Sequence, residues 1–373
     1  MPPVLHSLNS LRVLAEFCVV HVHLADNFGS QYGWLPNTFV KEDVMSFFFV
    51  LSGFVTVYSH AGEEPRDRLE YLGRRVGKML PPFLLSCLLD LPGAAITQYR
   101  DGCDLFWPAS ALQLFLLSPW TGLSHIARLN GVSWYLECLV WLWMAFAFLK
   151  IDLVLRGWRA AAGLYVLSWL LYYAAGPLTE INKHGLPALR LPEFCIGCCV
   201  ASTLGSEQRL GGRIVRAAGL CFVVYYVLHY LVFPERMPAD ADVCRPWPVN
   251  DWAYGSFYLG QFYSKASLVW AVLIHCAACL ELDGGDTFVL RCLTHPLFST
   301  LSAFSMHLYL YHELVAASIM GVSGRVGVQW TLDLLILACY CVSFVFFAIV
   351  HPSLHWCLAW VAQRLVRGPS PAE

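Results

Sequence analysis

Four ionisable residues, Arg12, Glu16, His21 and His23, interrupt the apolar run from Leu8 to Leu24 near the start of this chain. The run reads as a membrane helix, where ionisable groups are costly unless paired, wetted or functional. At about 100° per residue, Glu16 falls about 40° round from Arg12 and His23 about 20° round, so the three share one stripe. His21 points to the opposite face. Arg12 and His23 stand about 16 Å apart along the axis, roughly half the hydrocarbon thickness. Histidine is the side chain here that suits proton transfer near neutral pH. The plainer alternative is an Arg12–Glu16 pair at the helix mouth, with His23 resting near the far interface.

A second polar stripe lies far along the chain, in LSAFSMHLYLYHE (301–313). Ser305, Tyr309 and His312 fall within about 60° of one another on a helix. They offer two hydroxyls and an imidazole, or simply a histidine satisfied in a bundle core. Between the stripes, FFFVLSGF (47–54) sets Ser52 and Gly53 in mid-span, where small residues let helix backbones approach. YLGRRVGKMLP (71–81) carries Arg74, Arg75 and Lys78. Arg74 and Lys78 can share a face and hold a phosphate, or can act only as topology determinants. On this reading Pro81 opens the next span, where its missing N–H is tolerated. Trp134 to Glu137 opens another span, and Arg190 and Glu193, three apart, can pair. Lys265, His275 and Asp333 are further polar groups inside apolar stretches. No zinc signature, nucleophile elbow or phosphate-binding glycine loop is present.

These residues need a membrane scaffold to position them. The 373 residues are 58% hydrophobic and only 13% charged, far from the balance of soluble domains. Apolar stretches at 8–24, 44–59, 79–96, 131–149, 160–175, 187–204, 214–233, 258–280, 296–320 and 328–350 predict an all-α polytopic bundle of about ten transmembrane helices. Basic residues gather in alternate loops: Arg66, Arg68, Arg74, Arg75 and Lys78, then Lys150, Arg156 and Arg159, then Arg209 and Arg213, then Arg364 and Arg367. That bias places both termini in the cytosol. The acidic segment 281–295 runs against it. The chain reads as a single membrane domain over 1–373, with a short interfacial helix at 354–366 and a disordered tail from 367. No patch of basic and aromatic residues points to nucleic acid. Most of the 15 cysteines sit in apolar runs as packing residues. Cys103 and Cys244 fall in outer loops and are candidates for a disulfide.

Taken in order, these segments resemble the membrane-bound acyltransferase 3 family, of the O-acetyltransferase type. Arg12 and His23 match its Arg-x10-His. FFFVLSGF matches Phe-Phe-x-x-Ser-Gly-Phe, and RRVGKMLP resembles Arg-Arg-x-x-Arg-Ile-x-Pro, with Lys78 in place of the final Arg. Phe194 and Gly197 match Phe-x-x-Gly. Ser305, Tyr309 and His312 match Ser-Tyr-x-x-Tyr-Leu-x-His, with Met306 replacing a Tyr. The usual Asp-Gly before the first Arg is absent; Glu16 is the nearest substitute. The resemblance implies transfer of an acyl group, often acetyl, from cytosolic acyl-CoA to a hydroxyl of a glycan, lipid or small acceptor, with no permanently bound cofactor or metal. It implies catalytic roles for Arg12, Glu16, His23 and His312, and donor binding by Arg74, Arg75 and Lys78. Ser52, Trp134, Glu137, Arg190, Glu193, Ser305 and Tyr309 would support the substrates. A multipass transporter using the same polar stripes, or a degenerate scaffold of the same fold, is the alternative.

Overall fold

Long apolar runs broken by Pro, Gly and polar loops produce helices throughout, and among the described residues there is no strand. The computed structural model describes residues 2–28, 41–60, 65–101, 105–121, 129–175, 185–204, 252–284, 286–326, 331–350 and 352–353. In chain order the helices are α1 (His6–Phe28), α2 (Lys41–Ser59), α3 (Pro65–Asp101), α4 (Phe106–Leu114) and α5 (Ser118–Thr121). A 3-10 turn (Gly131–Ser133) then leads into α6 (Trp134–Leu149), α7 (Ile151–Val154), α8 (Gly157–Ala174) and α9 (Pro187–Ala201). The last group is α10 (Trp252–Leu282), α11 (Phe288–Leu293), α12 (Pro296–Ala303), α13 (Ser305–Val326) and α14 (Leu332–Val345). Every expected apolar stretch that the described residues cover is helical. The stretch 214–233, Cys103, Cys244, the Lys265 side chain, the helix expected at 354–366 and the tail lie outside the described residues.

Among the described residues, four helical segments are long and apolar enough to cross a membrane: His6–Ala25, Arg68–Ile96, Gly131–Leu149 and Asp333–Val350. Val44–Ser59 and Ala266–Leu282 are shorter apolar segments of the same character. Leu84, Leu88, Phe148, Leu337 and Phe344 are exposed, as lipid-facing side chains of a membrane protein would be.

Two expectations about helix boundaries are corrected. Pro81 does not start a span: α3 is continuous and holds Pro81, Pro82 and Pro92 in its interior. A proline inside a helix leaves the carbonyl four residues back without its amide partner, and the chain absorbs this without breaking. The stretch 296–320 is not one helix. It divides at Phe304, whose backbone N–H bonds Leu301 O and Ser302 O to close α12 before α13 begins.

α1 touches α2, α10, α11, α12, α13 and α14, so its stripe is surrounded. Its first amides, at His6 and Ser7, donate to the Glu281 carboxylate at 2.8 and 2.9 Å. A carboxylate there satisfies orphan donors and complements the helix dipole. Tyr58 OH donates to the Pro3 carbonyl at 2.9 Å. These bonds bring the start of α1, the end of α2 and the end of α10 to one face.

The tightest crossing joins α2 to α9. A Cβ added to Gly53 would overlap the Phe194 carbonyl, and one added to Gly197 would overlap the Val50 carbonyl. The two glycines let the backbones touch, as small residues do between membrane helices. Beside this crossing, Arg68 grips Asp152 through both carboxylate oxygens at 2.6 and 3.0 Å and lies 5.2 Å from the centre of the Phe146 ring. That fork ties α3 to α7.

Candidate active site

The two polar stripes meet. His23 Nδ1 lies 2.9 Å from His312 Nε2. The rings are 12° from parallel with centroids 5.2 Å apart. With that short N···N separation they lie edge to edge in nearly one plane, so the bond is in line. The proton positions follow from the partners. His312 Nδ1 faces the Tyr309 carbonyl at 2.8 Å and the Leu308 carbonyl at 3.2 Å. Carbonyls only accept, so this nitrogen carries a proton and the neutral ring's Nε2 carries the lone pair. His23 Nδ1 must then donate, which puts the lone pair of the neutral His23 ring on Nε2. Glu313 Oε1 stands 3.6 Å from His23 Nδ1, where it stabilises positive charge on that ring. The donor atoms of His23, His312 and Glu313 also lie within 4.8 Å of one another, close enough to surround a metal ion. As placed, the two nitrogens face each other across a hydrogen bond, which a cation would have to break.

A buried polar clasp fixes α13 at this height. Asn130 caps the 3-10 turn by accepting from Val132 N at 3.1 Å and donates through Nδ2 to the Leu310 carbonyl at 2.9 Å. Tyr309 OH donates to the Val132 carbonyl. The segment is in turn held from α6. Glu137 accepts from Ser133 at 2.8 Å, from Gln113 at 3.3 Å and from Ser118. Gln113 also accepts from Leu129 N at 2.7 Å and donates to Asn130 O at 2.9 Å. Between α4 and α5, Leu116 takes a φ of 60°, and its carbonyl accepts from Trp141 Nε1 at 2.7 Å. Left-handed backbone at a leucine persists only when surroundings hold it.

Arg12 lies one helical turn below Glu16 and has Arg75, Tyr135 and Glu16 as its charged and polar neighbours. Among the described residues the Arg12–Glu16 ion pair of the plainer alternative is not formed, and Glu16 Oε1 is buried with no hydrogen-bond partner there. Arg75 turns inward from α3, 5.1 Å from the Tyr71 ring centre and 5.6 Å from that of Trp143. Arg74 turns outward and pairs with Glu70 at 2.8 Å, and Lys78 is exposed. Arg74 and Lys78 thus lie one turn apart on the outer surface of α3, while Arg75 turns in to face Arg12. Ser52 Oγ accepts from Trp143 Nε1 at 3.1 Å, which joins α2 to this wall.

The acyltransferase-domain family model matches residues 5–351. The chain belongs to the acyltransferase 3 family. No curated protein and no solved structure matches it.

Other expected site residues of this acyltransferase serve its frame. Arg190 pairs with Glu193 at 3.1 Å, and Ser46 donates to the same carboxylate at 3.1 Å. The Arg190 guanidinium lies 5.3 Å from the Phe49 ring centre and 6.0 Å from that of Trp134. All of these side chains are buried at the junction of α2, α6 and α9. Ser305 is buried at the first turn of α13, well before His312. His21 faces away from His23, with Asp333 of α14 among its neighbours. His275 lies 3.5 Å from both Thr203 Oγ1 and Cys279 Sγ.

Sequence reasoning missed Glu313 and Asn130. Glu313 follows His312 directly but lies about 100° round the helix, so face-counting set it aside; its long side chain reaches back. Nothing in the sequence marks Asn130, whose partner is 180 residues away. Glu137, expected to support substrate, anchors the clasp. Glu137→Ala leaves the buried Ser118, Ser133 and Gln113 groups short of an acceptor, and should destabilise the fold by on the order of 3 kcal/mol. Thermal unfolding of the purified protein checks this.

Proposed function

We propose that this acyltransferase moves an acyl group, acetyl in the simplest case, from cytosolic acyl-CoA to a hydroxyl of a glycan, lipid or small-molecule acceptor. Its setting is a multipass integral membrane protein, in a plasma, inner or endomembrane, with both termini cytosolic. The face holding the start of α1 is then the cytosolic one. The in-line His23–His312 bond carries this reading, because it leaves a basic nitrogen on His23 with a defined direction.

Donor phosphates approach Arg75 and Arg12, and the acyl thioester reaches His23. His23 Nε2 takes the proton of the acceptor hydroxyl as the oxygen attacks the thioester carbon. Glu313 and the His312 lone pair stabilise the imidazolium that forms. When the tetrahedral adduct collapses, the carbon–sulfur bond breaks and His23 returns its proton to the departing thiolate. Bonds and protons balance without another reactant. Tyr309 and Asn130 hold His312 in place, and Ser52 steadies Trp143 beside Arg75.

Radiolabelled acetyl-CoA and protein reconstituted in membranes test the reading, with acylated glycans and lipids compared between cells with and without the gene. Absence of any labelled product from the wild type counts against it. Within this scheme Arg75→Ala raises the donor KM about tenfold or more, the scale of a charge-assisted hydrogen bond. Arg74→Ala, already paired and solvated, changes it by less than about threefold.

A further inference from the structure

Glu16 is the unexplained group in the stripe. It is 3% exposed, its carboxyl group has the Tyr309 backbone and the Arg12 charge as neighbours without an ion pair to Arg12 among the described residues, and its Oε1 lacks a hydrogen-bond partner there. A buried acceptor left unmade bears the full desolvation penalty, so such a group persists where something else completes it. Arg12, half-buried on the same stripe, faces Arg75 across from it. Two ionisable groups one turn apart that are not ion-paired leave an anion-seeking and a donor-seeking position side by side.

Their heights match one kind of molecule. Glu16 lies seven residues below His23, about 10.5 Å along the helix, and Arg12 eleven residues below, about 16.5 Å. In a pantetheine thioester the second amide nitrogen is eight bonds from the acyl carbon. At the roughly 1.2 Å per bond of an extended chain, that is about 10 Å. The phosphorus beyond the arm is fourteen bonds away, about 17 Å. With the acyl carbon at His23, the second amide falls at Glu16 and the phosphate at Arg12.

We infer that Glu16 accepts the second amide N–H of a pantetheine thioester, so the stripe acts as a ruler for phosphopantetheine-bearing donors. The inference rests on the acyl-CoA reading above, and its test is therefore made by binding alone. CoA and a CoA whose second amide nitrogen is methylated are titrated into the full chain in lipid nanodiscs by calorimetry. Wild type should bind CoA about tenfold more tightly than the methylated form, the scale of one hydrogen bond to a charged group. Glu16→Gln keeps an oxygen acceptor and should keep the preference; Glu16→Leu should bind the two alike. Equal binding by the wild type, or no binding of either, overturns the inference, whether or not Glu16→Leu folds. Transfer of label is scored separately. A wild type that transfers acetyl without preferring CoA sinks the ruler and keeps the enzyme; a wild type that prefers CoA without transferring does the reverse.

Discussion

His23→Ala is expected to lower acyl transfer about 10³-fold, the range of a lost general base, while donor binding stays close to wild type. The separation arises because, in the proposed scheme, the donor is held near Arg12 and Arg75, about 16 Å along α1 from the imidazole. His312→Phe should lower kcat about 10²-fold. It leaves His23 in place but removes the acceptor that commits the His23 proton to Nδ1, so part of the population presents the wrong tautomer. Single-turnover rates with labelled acetyl-CoA distinguish these losses from weaker binding. Retained transfer in His23→Ala would remove the base from the mechanism.

Gly197→Ala and Gly53→Ala are expected to destabilise the protein by about 3 kcal/mol or more each, at the upper end for overpacking. The new methyl group meets backbone: Phe54 N lies 2.8 Å from the Gly197 position, and Phe194 C lies 2.8 Å from that at Gly53. Backbone inside a helix cannot rotate aside as a side-chain end can. Gly73 and Gly77 provide the contrast, since nothing lies within 4 Å of a Cβ at either. Alanine there should stabilise α3 by up to about 1 kcal/mol through helix propensity. Melting temperatures of the four variants in one detergent decide the matter. Similar losses at all four would mean that the α2–α9 contact is not the one constrained.

Helical periodicity made the two stripes legible before any coordinates. Arg12 and His23, and likewise Tyr309 and His312, sit on faces that 100° counting identifies. What periodicity could not provide was which face meets which. The His23–His312 bond joins residues 289 apart, and nothing local encodes it. The bonds that Gln113 and Ser118 donate to Glu137 were equally hidden from local pattern. The Pro81 error had a different origin. A proline at the edge of an apolar run favours a helix start, yet α3 carries its prolines inside and begins at Pro65. That continuity decides which cation turns inward. Arg74 and Arg75 are neighbours in sequence and lie about 100° apart on one unbroken helix, so one meets Glu70 and the other meets Tyr71 and Trp143.

The partners of His312 Nδ1 have one more outcome. They are main-chain oxygens of α13 itself, which neither release nor accept a proton for onward passage. His312 is the blind end of the imidazole pair: no proton passes on through its Nδ1. In the proposed scheme each hydrogen ion lifted from the acceptor departs with the thiol, and turnover carries no net ions through the bundle. Vesicles bearing this protein should run equally fast with or without an imposed voltage.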